Sequence, residues 1–484
     1  MANDYLEGNF APVREELTIT DLQVTGTIPD YLDGRYLRNG PNPISEVDPA
    51  TYHWFLGDGM VHGVRLRDGK AQWYRNRWIR TETVARILGE QPPPRRGSAP
   101  VASTGANTNI ISHAGRTLAL VEGGTANYEL TDELDTVGTC DFDGTLPGGY
   151  TAHPKRDPRT GELHAVSYFF GWGNKVQYSV IGTDGRARRT VDVEVTGSPM
   201  MHDFSLTENH VIFYDLPVVF DAEQAAAGAP MPRAFRTPAK LVMSALIGKV
   251  KVPDPITAML AKSVPSNGRM PYRWDPRYPA RIGVMPREGD SADVRWFDVE
   301  PCYVFHPLNA YDEGETIVLD VVRHPKMFAS DFNGPNEGQP TLDRWTVDLA
   351  DGKVRESRLD DRPQEFPRVD ERLVGLRHRY GYAMQTMAGT GANAGDAILK
   401  HDLVNGRTEA RQLGAQRRGS EFVFVPSGPD AGEDDGVLMG FVYDTATDRS
   451  DLTILDAATM ETVGAVHLPS RVPNGFHGNW APTE

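Results

Sequence analysis

The run Met60–Leu66, MVHGVRL, leads directly into Asp68-Gly69, and how it is read decides the fold. A short segment rich in β-branched and other apolar residues, closed by Asp-Gly, is a strong local signal for a β-hairpin. The unit recurs along the chain. Arg116–Val121 follows His113-Ala114-Gly115, Leu163–Tyr168 follows Thr160-Gly161, and Val191–Val195 follows Asp184-Gly185. Further turn pairs stand at Asp351-Gly352 and Asn405-Gly406, and Leu452–Leu455 repeats the strand composition. Helical periodicity is scarce and strands do not alternate with helices, so the pattern predicts an all-β fold rather than an α/β one. A β-propeller accommodates this many hairpins without long exposed edges. Seven blades would use roughly 65–70 residues each over 484 residues. Two β-sandwiches are the alternative, but no Pro/Gly/Ser linker divides the chain, and the Pro-rich Gln91–Arg96 is too short and too early to be a boundary. One domain over residues 1–484 is expected.

Composition narrows the function. Fifty basic residues against 66 acidic ones give a net charge of -16, which argues against a nucleic-acid partner. Two cysteines, Cys140 and Cys302, cannot build a disulfide framework or a cysteine-based zinc or iron–sulfur site, and they fit a reducing compartment. Met1–Val13 has no basic-then-apolar signal pattern. No apolar run approaches the roughly 20 residues of a membrane span. A cytoplasmic protein, at most peripherally membrane-bound, is expected. One segment departs from the β pattern: Ala234–Val264 reads as a helical, apolar insertion carrying Lys240, Lys249, Lys251 and Lys262. It fits either a helical element packed on the β structure or an interfacial element touching a membrane surface.

Four of the 13 histidines stand in unusual settings: His153 in TAHPK, His202 in MMHDF, His306 in YVFHPLNAYDEG and His477 in VPNGFHGNW. Their separations of 49, 104 and 171 residues are too long for any local metal motif. They suit a propeller, in which inner strands of different blades converge on the axis. Taken singly, each histidine reads as well as a structural residue. Glu122 in ALVEGG, Glu365 in PQEFPR and Glu421 in GSEFVFVP lie among strand-like apolar residues, where a carboxylate needs a partner. An imidazole N–H is a suitable one, since metal-bound histidines usually donate their second nitrogen to a carboxylate. A strand position facing solvent would explain any one of these glutamates equally well.

Together these fragments resemble the carotenoid cleavage oxygenase family, which includes retinal-pigment isomerohydrolases and lignostilbene dioxygenases. The resemblance begins with YLDGRYLRNGPNP (Tyr31–Pro43) and WFLGDGMVHGV (Trp54–Val64), continues through ANTN (Ala106–Asn109), and ends at VPNGFHGNW (Val472–Trp480). It is greatest toward actinobacterial carotenoid oxygenases. It implies a seven-bladed propeller capped by a dome of loops, with iron on the axis. The family's iron ligands fall on His153, His202, His306 and His477. Its outer glutamates fall on Glu122, Glu365 and Glu421, paired with His202, His306 and His477 respectively, which leaves His153 without a carboxylate. Thr108 matches a threonine beside an open coordination position. His62, in GDGMVHGV, matches no ligand position and is expected to be structural, and His164 is expected to be packing.

Four neutral imidazoles suit Fe(II) but also zinc, copper and nickel, so the choice of iron rests on the resemblance. The reaction implied is oxidative cleavage by O₂ of a carbon–carbon double bond in an apolar alkene, a carotenoid or apocarotenoid, to two carbonyl products. Trp54, Phe55, Phe169, Phe170, Trp172 and Phe305 are candidates for lining a substrate tunnel, or for ordinary packing. A stilbene or other phenolic alkene is the nearest rival substrate. Stilbene-cleaving relatives place a lysine immediately before the glutamate matching Glu122, where this chain has Val121. An isomerohydrolase or a lactonase-like propeller hydrolase is a further alternative. Propellers of the latter kind hold calcium through oxygen ligands, which four histidines do not offer.

Overall fold

The computed structural model describes residues 3–96, 105–146, 149–222, 224, 249, 251, 270–332, 337–387 and 394–483. The helical insertion expected at Ala234–Val264 lies outside the described residues, apart from 249 and 251. Among the described residues no helix is long and apolar enough to cross a membrane.

The hairpins form where the turn chemistry allows. Gly59–Arg67 pairs antiparallel with Lys70–Trp78, and Arg67 faces Lys70 across a two-residue turn. Both turn residues take positive φ, 51° at Asp68 and 67° at Gly69, the combination a type I′ turn requires. Asn109–His113 and Arg116–Leu120 are joined in the same way through Ala114 (51°) and Gly115 (69°). Leu163–Tyr168 is a strand over the predicted residues. Val191 to Glu194 lie in the strand Ala187–Glu194, and Leu452–Leu455 lies in Arg449–Asp456.

Five four- or five-stranded sheets accompany one ten-stranded sheet, which the bridging strand Arg417–Gly419 divides into two further groups. Five and two make seven blades, so the sandwich alternative falls away. A two-stranded ribbon, Val218–Phe220 with Tyr272–Trp274, stands outside them. The strands that open the blades are Asn109–His113, Lys155–Arg156, Ser205–Leu206, Tyr303–Glu313, Gln364–Arg368 and Val423–Pro426. Gly478–Pro482 takes the corresponding place in the seventh. Opening strands of neighbouring blades touch: Gly478–Pro482 meets Asn109–His113 and Val423–Pro426, and Tyr303–Glu313 meets Ser205–Leu206 and Gln364–Arg368. These strands therefore line the axis.

Two long-range pairings close the ring. Gly478–Pro482 pairs with the fully buried strand Gly34–Pro41. Gln23–Gly26 adds to Thr462–His467 at the other side of the same junction. Between blades the core is aromatic and β-branched, with Tyr36, Tyr74, Tyr178, Trp345 and Tyr382 essentially without solvent exposure. Each such side chain contributes about 1.5–3 kcal/mol through its apolar area.

Candidate metal centre

Each blade places one of the singled-out residues at or near the start of its opening strand. In chain order these are Thr108, His153, His202, His306, Glu365, Glu421 and His477. Glu122 lies just beyond Arg116–Leu120, the second strand of the first of these blades. Residues scattered through the sequence thus meet at the axis, because every blade delivers one.

The four histidines are all buried, and one nitrogen from each lies within 4.8 Å of the others. His153 is central, with ring centroids 4.4, 5.1 and 4.6 Å from those of His202, His306 and His477. Three rings are held from behind. His202 Nδ1 lies 2.7 Å from Glu122 Oε1, His306 Nδ1 2.7 Å from Glu365 Oε2, and His477 Nδ1 2.9 Å from Glu421 Oε1. A carboxylate accepts, so each Nδ1 carries the proton and each Nε2 presents a lone pair to the centre.

This arrangement suits a cation. His202 Nε2 and His306 Nε2 stand 3.2 Å apart, a separation at which two lone pairs repel. His153 Nε2 is buried with no hydrogen-bond partner among the described residues, which is costly for a polar atom without a ligand. The donor set is neutral nitrogen throughout, as suits a divalent transition metal.

The three glutamates are satisfied unequally. Glu365 accepts from His306, from the Phe366 backbone N–H at 2.5 Å, and from His324 Nε2 at 2.7 Å. Burial raises its pKa, but the two imidazoles outweigh burial and hold it well below the usual carboxylate range. Glu421 accepts from His477 and from Gly478 N–H at 2.7 Å, with Arg368 Nη1 3.8 Å away. Burial again opposes ionisation, yet Arg368 and His477 bring its pKa down to about 2. Glu122 Oε2 has no hydrogen-bond partner among the described residues. Among the rings, burial lowers the pKa of His153 and His306, whereas at His202 the Glu122 carboxylate outweighs burial and raises it.

Among the described residues His153 has no carboxylate within hydrogen-bond reach. The nearest is Asp203, whose Oδ2 is 3.8 Å from His153 Nδ1 and is held by Lys155 Nζ at 2.9 Å. Thr108 is buried: its carbonyl accepts from His477 N–H at 3.0 Å, and its hydroxyl donates to Asn107 Oδ1 at 3.1 Å. His62 and His164 lie elsewhere, each bonded through Nδ1 to a tyrosine hydroxyl on the adjacent strand, Tyr74 at 3.0 Å and Tyr178 at 2.7 Å. His324 and Asp203 were not singled out from sequence; a histidine late in a β-branched run and an aspartate beside a candidate ligand carry no signal of their own.

Two aromatic rings pack directly on the histidines, and further aromatics cluster with one another. Phe305 sets its edge to His202 at 5.1 Å, and Phe366 stacks on His306 at 5.7 Å. Phe55 bridges Phe305 and Phe476, and Phe476 packs on Trp54. Phe169 packs against Phe170 and Trp172, and Phe170 stacks on Phe220. On the axis a cavity of about 380 Å³ reaches His153, lined by polar residues such as Asn109, Lys155 and Arg368 and equally by apolar ones such as Leu206, Leu308 and Val369.

Residues 10–482 match the protein family described as retinal pigment epithelial membrane protein. The chain is 59% identical to a carotenoid cleavage oxygenase of Mycobacterium tuberculosis, over 99% of this chain and 98% of that one. Among solved structures it is similar to the lignostilbene dioxygenase of Pseudomonas brassicacearum, with a TM-score of 0.82, 27% identity and 99% of both chains covered. It is also similar to the apocarotenoid oxygenase of Synechocystis, with a TM-score of 0.80, 26% identity, and 99% of this chain and 98% of that one covered. A cobalt-substituted form of the Synechocystis enzyme has been solved. With four converging imidazoles on the axis of a seven-bladed propeller, and this likeness along nearly its whole length, the chain belongs to the carotenoid cleavage oxygenase family.

Proposed function

We propose that this chain holds Fe(II) through His153, His202, His306 and His477 and uses O₂ to cleave a carbon–carbon double bond of a carotenoid or apocarotenoid, giving two carbonyl products. The observation that carries this reading is the cluster of four buried imidazoles, three of them fixed by Glu122, Glu365 and Glu421. Bound iron supplies the electronic coupling that lets ground-state O₂ react with an alkene. The protein does the rest. The glutamates fix the tautomer and direction of three rings and offset the charge of a centre whose ligands carry none. Phe305 and Phe366 keep water from the rings and offer an apolar surface to a polyene. Thr108, tied by its carbonyl to the His477 backbone, is assigned the shielding of an open coordination position.

A phenolic alkene is the second reading, supported by the structural likeness to a lignostilbene dioxygenase. Against it stands Val121, buried and apolar, where stilbene-cleaving relatives place a lysine. Aerobic incubation of Fe(II)-loaded protein with full-length carotenoids, apocarotenoids and hydroxystilbenes, read by product mass, separates the two. Turnover of stilbenes alone transfers the assignment to the second reading, and no cleavage of any alkene refutes both.

A single domain, a cytoplasmic location and peripheral membrane contact through Ala234–Val264 belong to the same proposal. The membrane contact is supported by the apolar and lysine-rich sequence of that segment. Flotation of the protein with anionic liposomes, reduced by Leu241→Glu with Ile247→Glu, is the expected result. A wild-type chain that ignores liposomes overturns it.

A further inference from the structure

His324, like Asp203, lies near the centre without motif or spacing revealing it. It ends the strand Thr316–His324 and lies opposite Tyr303, at the start of the strand that carries His306. It is buried, and its Nε2 is 2.7 Å from Glu365 Oε1, the oxygen that His306 does not use. Because a carboxylate only accepts, His324 Nε2 must carry a proton. The order is therefore His324 N–H to Glu365, and His306 N–H to Glu365, with the Phe366 N–H completing the shell. Among the described residues no other glutamate of the set meets a second imidazole: Glu421 has a backbone N–H and a guanidinium nearby, and Glu122 Oε2 has no hydrogen-bond partner.

A second contact leads to a different ligand. The His324 ring meets Phe305 edge-on, with centroids 5.1 Å apart, and Phe305 in turn meets His202 edge-on at 5.1 Å. Rings in these orientations resist rotation about the side-chain bonds.

We propose that His324 is a positioning residue of the metal centre, acting on His306 through Glu365 and on His202 through Phe305. The inference rests on reading the four-histidine cluster as the metal site, and it is independent of which alkene is cleaved. Removing the donor leaves a buried carboxylate oxygen unsatisfied and lets the Glu365 carboxylate turn, so that His306 loses its fixed direction.

The test uses cobalt(II) as the probe, with affinity read by competition against a chelator and geometry by the visible absorption of the bound ion. His324→Leu and His324→Met, which lack the donor, are expected to weaken cobalt binding roughly 10-fold and to alter the spectrum. In the iron-loaded enzyme they should lower kcat with little change in KM. His324→Gln, which restores an N–H donor, should return affinity and spectrum close to wild type. If Leu and Met variants do not fold, His324→Asn, whose donor is too short to reach Glu365, takes their place beside His324→Gln. Unchanged affinity and spectrum in the donorless variants overturn the proposal. So does a Gln variant as impaired as the Leu variant when both keep the wild-type circular dichroism, since only packing would then be at stake. Wild-type protein that binds cobalt but cleaves no alkene defeats the functional reading alone, whereas a chain that takes up no cobalt defeats both.

Discussion

Replacing each outer glutamate by glutamine is the same chemical change three times, yet the surroundings predict three different results. The common loss is the charge: a charge-assisted hydrogen bond is about twice as strong as a neutral one, so about 1 kcal/mol, or roughly fivefold in metal affinity, is lost in each case. At Glu122 little more follows. The amide oxygen can accept from His202 Nδ1, and the amide nitrogen replaces an oxygen without a partner among the described residues, so no existing donor loses its acceptor. At Glu421 the carboxylate serves two donors, His477 Nδ1–H and Gly478 N–H, one on each oxygen. An amide has one oxygen, so its NH₂ must face one of those donors. A buried donor left unsatisfied costs a further 1–3 kcal/mol or so, for a total of about 2–4 kcal/mol and roughly a 30- to 900-fold loss of affinity. Glu365→Gln falls between, because His324 can move its proton to Nδ1 and present Nε2 as an acceptor to the new NH₂, which the Gly478 amide cannot do. Cobalt competition titrations on the three variants, with circular dichroism to confirm folding, give the order directly. Equal losses in all three, or the largest loss at Glu122→Gln, would refute this reasoning.

Further outcomes follow from other parts of the molecule. His→Ala at 153, 202, 306 or 477 should abolish metal-dependent turnover, whereas His62→Ala, which removes a buried bond to Tyr74, should keep its metal and lose about 1–3 kcal/mol of stability in a denaturant titration. Asp360 is buried, which raises its pKa, but Arg362 and backbone N–H bonding hold it down at about 2, from an ordinary 3.8. A depressed carboxylate stabilises the fold above its unfolded pKa and loses that contribution as pH falls through the folded one. Asp360→Asn should therefore melt below wild type at neutral pH, and the gap should close between about pH 3.8 and about 2. Gly475→Ala should cost about 1–3 kcal/mol by overpacking and weaken metal binding, because the new Cβ would sit 2.8 Å from the Asn39 carbonyl and displace the segment that presents His477. Thermal melts and cobalt titration check it.

The hairpins were legible because their information is local: two residues at positive φ, as at Asp68-Gly69, fix a turn whatever surrounds it. The ring was legible only as a count of such units, since nothing in Gln23–Gly26 announces Thr462–His467 as its partner. The four histidines show the boundary clearly. Their convergence depends on seven blades returning to one axis, which no spacing encodes, so the resemblance supplied what periodicity could not. His324 lay beyond both, because its role comes from a cross-strand register placing it opposite Tyr303 and within reach of Glu365. Asp203 escaped notice for the opposite reason: adjacent to His202 in the chain, it turns instead toward His153 and Lys155.

The closing strand Gly478–Pro482 follows His477 directly and pairs with Gly34–Pro41. During translation, then, the strands of the other six blades leave the ribosome before either the fourth imidazole or the last seam is available. A nascent chain can display at most three of the four histidines, in an open ring, and domains that depend on such distant pairings form late and slowly. The four-imidazole site is thereby the last part of the ring to take shape, and an ion that needs all four nitrogens meets them only once the first and last strands have paired.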